Sequence, residues 1–93
     1  MNYLYISIMA FKISEHARRE MQRRDIPEEW INETMANPGQ IVHVREMKKA
    51  YQSLKELDGK KYLLRVIVAD DKDPSVVVTV YRTSKITKYW RSS

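Results

Sequence analysis

One of only two histidines in the chain opens an arginine-rich helical segment, Ser14-Glu15-His16-Ala17-Arg18-Arg19-Glu20-Met21-Gln22-Arg23-Arg24-Asp25-Ile26-Pro27. At helical spacing, His16, Arg19, Glu20 and Arg23 fall at i, i+3, i+4 and i+7 and share one stripe. An imidazole that titrates near neutrality can take or give a proton, and guanidinium groups beside it can balance charge on a phosphate. The residue types therefore suit phosphate chemistry. Ile13, Ala17 and Met21 form the neighbouring apolar stripe, so a helix buried through them would carry His16 along the edge of the core. A solvated charged face is the competing reading, and the residues alone leave both open.

A second group of cations and aromatics closes the chain. Tyr81-Arg82-Thr83-Ser84-Lys85-Ile86-Thr87-Lys88-Tyr89-Trp90-Arg91 holds four cations, three aromatics and no acid. Arg82, Lys85, Lys88 and Arg91 recur every third residue, and a helical turn after Thr83 would cluster the last three along a phosphate backbone. Trp90 reads as a C-terminal plug on the core, while Tyr89 is equally suited to packing or base stacking. Arg65 interrupts an otherwise apolar strand. It is either a phosphate ligand or one half of an ion pair with Glu46 or Glu56 across a solvent-facing surface. His43, alternating with Val42 and Val44, reads as an exposed or hydrogen-bonded structural histidine.

The elements that position these groups follow from punctuation and period. Ser14 suits the N-cap of a first helix, with Glu15 in its first turn and Arg23 and Arg24 at its end. Pro27 suits the first position of a second helix that buries Trp30, Ile31, Thr34 and Met35. Asn37-Pro38-Gly39 stops that helix by pairing a residue tolerant of left-handed backbone with a proline. Alternation then replaces the helical period, predicting strands at Ile41–Glu46, Ala50–Leu57, Lys61–Ala69 and Ser75–Thr83. Asp58-Gly59 is a two-residue hairpin turn. The aspartates of Asp70-Asp71-Lys72-Asp73-Pro74 lack the glycine and distal glutamate of a calcium loop. The expected fold class is α+β, two N-terminal helices packed on an antiparallel sheet of about four strands. Trp30, Ile31, Met35, Leu64, Val66, Val68, Val78 and Val80 should supply much of the core.

Composition narrows the class. The 93 residues suit one domain, residues 11–93, with residues 1–10 as an N-terminal extension whose start is Met1 or Met9. There is no cysteine, so disulfides and thiolate metal sites are excluded, and two histidines argue against a histidine-rich zinc site. No cofactor or metal is expected. A net charge of +5 favours a polyanionic partner, nucleic acid or an acidic protein. The apolar opening residues lack the basic leader and length of a secretory or membrane segment, which leads to a cytoplasmic expectation and no membrane partner.

The pattern Ser14-x-His16-Ala17, Met21, Arg24-x-Ile26, Asn37-Pro38, the hydrophobic third strand and Val78-Thr79-Val80-Tyr81 resembles a bacterial domain-of-unknown-function family related to BrnT and RelE-type toxins. The resemblance runs from about Phe11 to Tyr89. It implies a RelE/BrnT-like fold and a metal-independent ribonuclease of toxin–antitoxin type, cleaving RNA by 2'-hydroxyl transesterification and neutralised by an antitoxin. Such cleavage needs a base, cations around the phosphate and an acid for the leaving 5'-oxygen. On that reading His16, Arg65, Tyr81 and Arg82 are the catalytic candidates, and Arg19, Arg23, Arg24, Thr79, Lys85, Lys88 and Tyr89 the RNA-binding ones. The sequence departs from the family pattern at three places. Glu20 stands where an arginine is usual, Asp25 where glycine is usual, and Pro27 where a serine-like cap is usual. The first departure keeps a second reading alive, a non-catalytic basic module that binds nucleic acid or an acidic protein.

Overall fold

The computed structural model describes residues 10–92. The N-terminal extension expected at residues 1–10 thus lies, apart from Ala10, outside the described residues. In chain order the elements are β1 (Phe11–Ile13), α1 (Glu15–Arg23), α2 (Glu28–Ala36), β2 (Gln40–Arg45), β3 (Lys48–Leu57), β4 (Lys60–Ala69), β5 (Ser75–Thr83) and α3 (Ile86–Tyr89). They make an α+β fold with one sheet ordered β1-β5-β4-β3-β2. The four-strand antiparallel meander is as expected. The sheet nevertheless has a fifth strand: β1 pairs with β5 in parallel, Phe11 opposite Ser75 and Ile13 opposite Val77. Three residues are too few for alternation to show, which is why the sequence predicted a purely antiparallel sheet.

Caps explain where the helices start and stop. Ser14 Oγ accepts the Ala17 N–H at 3.1 Å and donates to the Val78 carbonyl at 3.2 Å, fixing the start of α1 to β5. At the other end Asp25 has φ 53°, the Ile26 N–H donates to the Met21 carbonyl at 2.8 Å, and the Asp25 N–H donates to the Gln22 carbonyl at 3.4 Å. This is a Schellman closure, and buried Ile26 and Met21 supply its apolar contact. Pro27 is the residue before α2 rather than its first, with an extended ψ of 147° and no side-chain cap. Asn37 ends α2 at φ −149°, so no left-handed residue is used there. Asp58 and Gly59, at φ 53° and 77°, form the expected two-residue turn with both central residues at positive φ.

The two long helices bury one face of the sheet. Ala17, Met21, Ile26 and Ile31 meet Leu64, Val66, Val68, Val77 and Val80, with Trp30, Met35 and Tyr51 partly buried around them. Val77 stands in the core where the alternation predicted Val78. The register shifts between Ile67 and Val68: Ile67 pairs with Thr79 but Val68 pairs with Val77, and Val78 is the extra residue of the bulge. The C-terminal end is plugged as expected. A Cβ at Gly39 would stand 3.0 Å from the Trp90 ring, so the indole packs directly on that backbone.

Candidate anion site on the sheet face opposite the helices

Leu64, Val66 and Val68 point at the helices, so alternation sends Arg65 to the other face. Register places it between two neighbours, Gln52 on β3 and Tyr81 on β5. Arg65 is only 8% exposed. Its Nε donates to Gln52 Oε1 at 2.6 Å and its Nη1 donates to the Tyr81 hydroxyl. The guanidinium lies 4.3 Å from the Tyr89 ring centroid and 5.7 Å from that of Tyr81. The two rings meet edge to face at 6.4 Å. Among the described residues no carboxylate pairs with Arg65, and Nη2 has no hydrogen-bond partner. Of the two readings of Arg65, the ion pair with Glu46 or Glu56 does not form, because the residue across the ladder is Gln52 and Glu56 faces Lys61.

Taking a cation out of water without a counter-ion is costly, and two aromatic faces offset only part of that cost, about 0.5–2 kcal/mol each. With no carboxylate beside it among the described residues, the guanidinium marks a candidate anion site. A second cation stands nearby. Arg24, the residue after α1, comes within 5.9 Å of the Tyr81 ring, across the stretch of β5 that β1 leaves uncovered. Glu20 holds it, accepting from Arg24 Nε at 2.8 Å and from Arg23 Nη2 at 2.7 Å. The hydrogen bond from Arg23 is the main cause that lowers the Glu20 carboxyl to about 2; partial desolvation opposes it and Arg24 adds to it.

The other sequence candidates are dispersed. His16 is exposed, with no side-chain hydrogen bond among the described residues. It lies in the helix layer, eight residues and about 12 Å along α1 from Arg24. Arg19 is exposed, 3.8 Å from Glu15. Arg82 alternates to the helix side and lies 5.3 Å from the Tyr62 ring. Thr79 shares the Arg65 face, opposite Ile67. Lys85 is exposed, and Lys88 sits 5.3 Å from the Tyr89 ring. His43 is exposed and bonds the Glu46 carbonyl at 3.0 Å. The chemistry-bearing residues brought together are thus Arg65, Tyr81, Tyr89 and Arg24. Gln52 and Gln40 belong with them and were not singled out from sequence. A signal existed, since a two-residue turn at Asp58-Gly59 fixes the whole β3–β4 ladder and sets Gln52 opposite Arg65.

Among the described residues no three His, Cys, Asp or Glu side chains converge as metal ligands, and no helix is long and apolar enough to cross a membrane. The fold is a small α+β domain whose sheet carries a buried arginine as its candidate anion site. The chain belongs to the family of the domain of unknown function (DUF4258), whose model matches residues 13–82. No curated protein and no solved structure matches it. The match takes in Arg24, Gln40, Gln52, Arg65 and Tyr81, whereas α3 and Tyr89 lie beyond it.

Proposed function

We propose that the protein binds RNA through a phosphodiester seated at Arg65 and Tyr81, and that it cleaves the strand without a metal as a toxin-type endoribonuclease with a RelE/BrnT-like fold. The carrying observation is a buried arginine with hydrogen bonds to Gln52 and Tyr81 and no carboxylate partner among the described residues. In transesterification the 2'-hydroxyl gives up its proton to solvent water or hydroxide, its oxygen bonds to phosphorus, negative charge grows on the phosphoryl oxygens, and the P–O5' bond breaks as the 5'-oxygen takes up a proton. Arg65 Nη2 supplies positive charge there, while Arg24, paired with Glu20, stands beside the Tyr81 ring. The Tyr81 oxygen accepts from Arg65, which leaves its own proton available for the 5'-oxygen. The Tyr89 ring offers a stacking surface next to the phosphate. A cytoplasmic antitoxin would complete the pair by covering this basic face.

The position of His16 favours a second reading. With the imidazole in the helix layer, the Arg65 cluster has no group among the described residues that serves as base near neutrality. A binding module would need none.

Incubating the purified protein with RNA in excess chelator separates the readings. The nuclease is expected to leave 2',3'-cyclic phosphate ends, and Tyr81→Phe to slow cleavage by about a hundredfold while binding persists. RNA binding with no cleavage from about pH 5 to 9 would leave the binding module. Loss of neither function in Arg65→Met would dismiss the site itself.

A further inference from the structure

Gln52 is fully buried, and every polar atom of its side chain is used. Its Nε2 donates to Gln40 Oε1 at 3.1 Å and to the Tyr89 carbonyl at 3.4 Å, both acceptors. That forces the amide to turn its oxygen toward Arg65 Nε. Gln40 is itself fixed, since its Oε1 also accepts the Arg91 N–H at 3.0 Å and its Nε2 donates to the Arg91 carbonyl. A ladder of two neutral amides therefore runs from the C-terminal strap to the buried guanidinium. It orients Arg65 without neutralising it, and it holds the residue whose ring covers the cation. A carboxylate at the same position would have matched the geometry and cancelled the charge.

We propose that Gln52 is a positioning residue for the anion site. Its uncharged oxygen holds the Nε edge of Arg65 so that Nη2 and the Tyr81 hydroxyl face a singly charged phosphodiester, and Gln40 keeps that amide from flipping. The proposal rests on the RNA-phosphate reading above. Its test can nevertheless fail separately.

The decisive substitution is Gln52→Glu, which keeps size and shape. Binding of a 2'-O-methyl RNA oligonucleotide, which cannot undergo transesterification, is measured against salt by fluorescence anisotropy. Gln52→Glu is expected to lose at least about tenfold in affinity, one charge-assisted hydrogen bond's worth. Its log–log salt slope should flatten by about 0.7, one phosphate contact on a single strand. A merely structural role would change melting temperature without flattening the slope. Wild-type affinity or an unchanged slope in Gln52→Glu, with binding still dependent on Arg65, overturns the positioning role and spares the phosphate site. Binding that is indifferent to Arg65→Met overturns the phosphate site instead. Nuclear magnetic resonance adds a test that needs no RNA. The Arg65 Nε–H should exchange slowly in the wild type and fast in Gln52→Ala, and a fast-exchanging wild-type signal overturns the proposal.

Discussion

Helix α1 and its C-cap carry four arginines, whereas Arg65 is the buried arginine on the sheet face opposite the helices, and it makes the better candidate for an anion site. On α1 and its cap every arginine has a carboxylate: Arg18 pairs with Glu28, Arg19 with Glu15, and Arg23 and Arg24 with Glu20. Most of these pairs are solvent-exposed, where screening leaves each worth little. Among the described residues Arg65 is buried and matched only by an amide, a phenol and two rings. The density of positive residues along a sequence therefore marks solubility as readily as recognition. An uncompensated charge held in a defined direction is more informative than several compensated ones.

The sharpest way to break this contrast is a pair of substitutions. Arg65→Met should weaken RNA binding by two orders of magnitude or so, about twice the 1.4 kcal/mol of a tenfold change. Its stability should fall only modestly, because the unpaired Gln52 oxygen costs about 1–3 kcal/mol while removing a buried charge offsets part of that. His16→Ala should change binding and cleavage by less than about twofold, as expected for an exposed residue remote from the cluster. If the ranking reverses in filter-binding and cleavage assays, the α1 stripe is the site.

A smaller effect concerns how α1 ends. Asp25→Gly removes a side chain from left-handed backbone and should raise stability by up to about 1 kcal/mol in urea melts. RNA affinity should stay the same, since α1 enters the site only through Arg24. The smallest effect is in the pH dependence. The Glu20 carboxyl is lowered from 4.5 to about 2, so its contribution to stability is complete above 4.5 and disappears as the pH falls through about 2. A carboxyl titration by nuclear magnetic resonance should show that midpoint, and Glu20→Gln should flatten the stability curve in the same acid window.

Local punctuation was legible because it acts over a few residues. The Ser14 cap and the Asp58-Gly59 turn each follow from one side chain or one backbone preference, and both stand as expected. The core was legible except where a bulge exchanged Val77 for Val78, an irregularity that alternation cannot encode. Strand β1 was missed because it exists through β5, far along the chain. The site was half visible. Arg65 stood out as a charge in an apolar run, but its solitude depends on which residues face it across two ladders. His16 drew attention by type and spacing, and neither property reports whether a helix turns a residue toward a cleft or away from it.

The parallel pairing of β1 with β5 also sets the order in which the molecule can be completed. Ser14 bonds Val78 across a separation of 64 residues, so the first strand has no partner until the last has been made. The β2–β5 meander is built from neighbouring hairpins and can close early, whereas β1 and the start of α1 must wait for it. Tyr81 and Tyr89 belong to the same late segment. A chain still emerging from the ribosome therefore carries its helix cations long before the Arg65–Tyr81–Tyr89 cluster can be assembled.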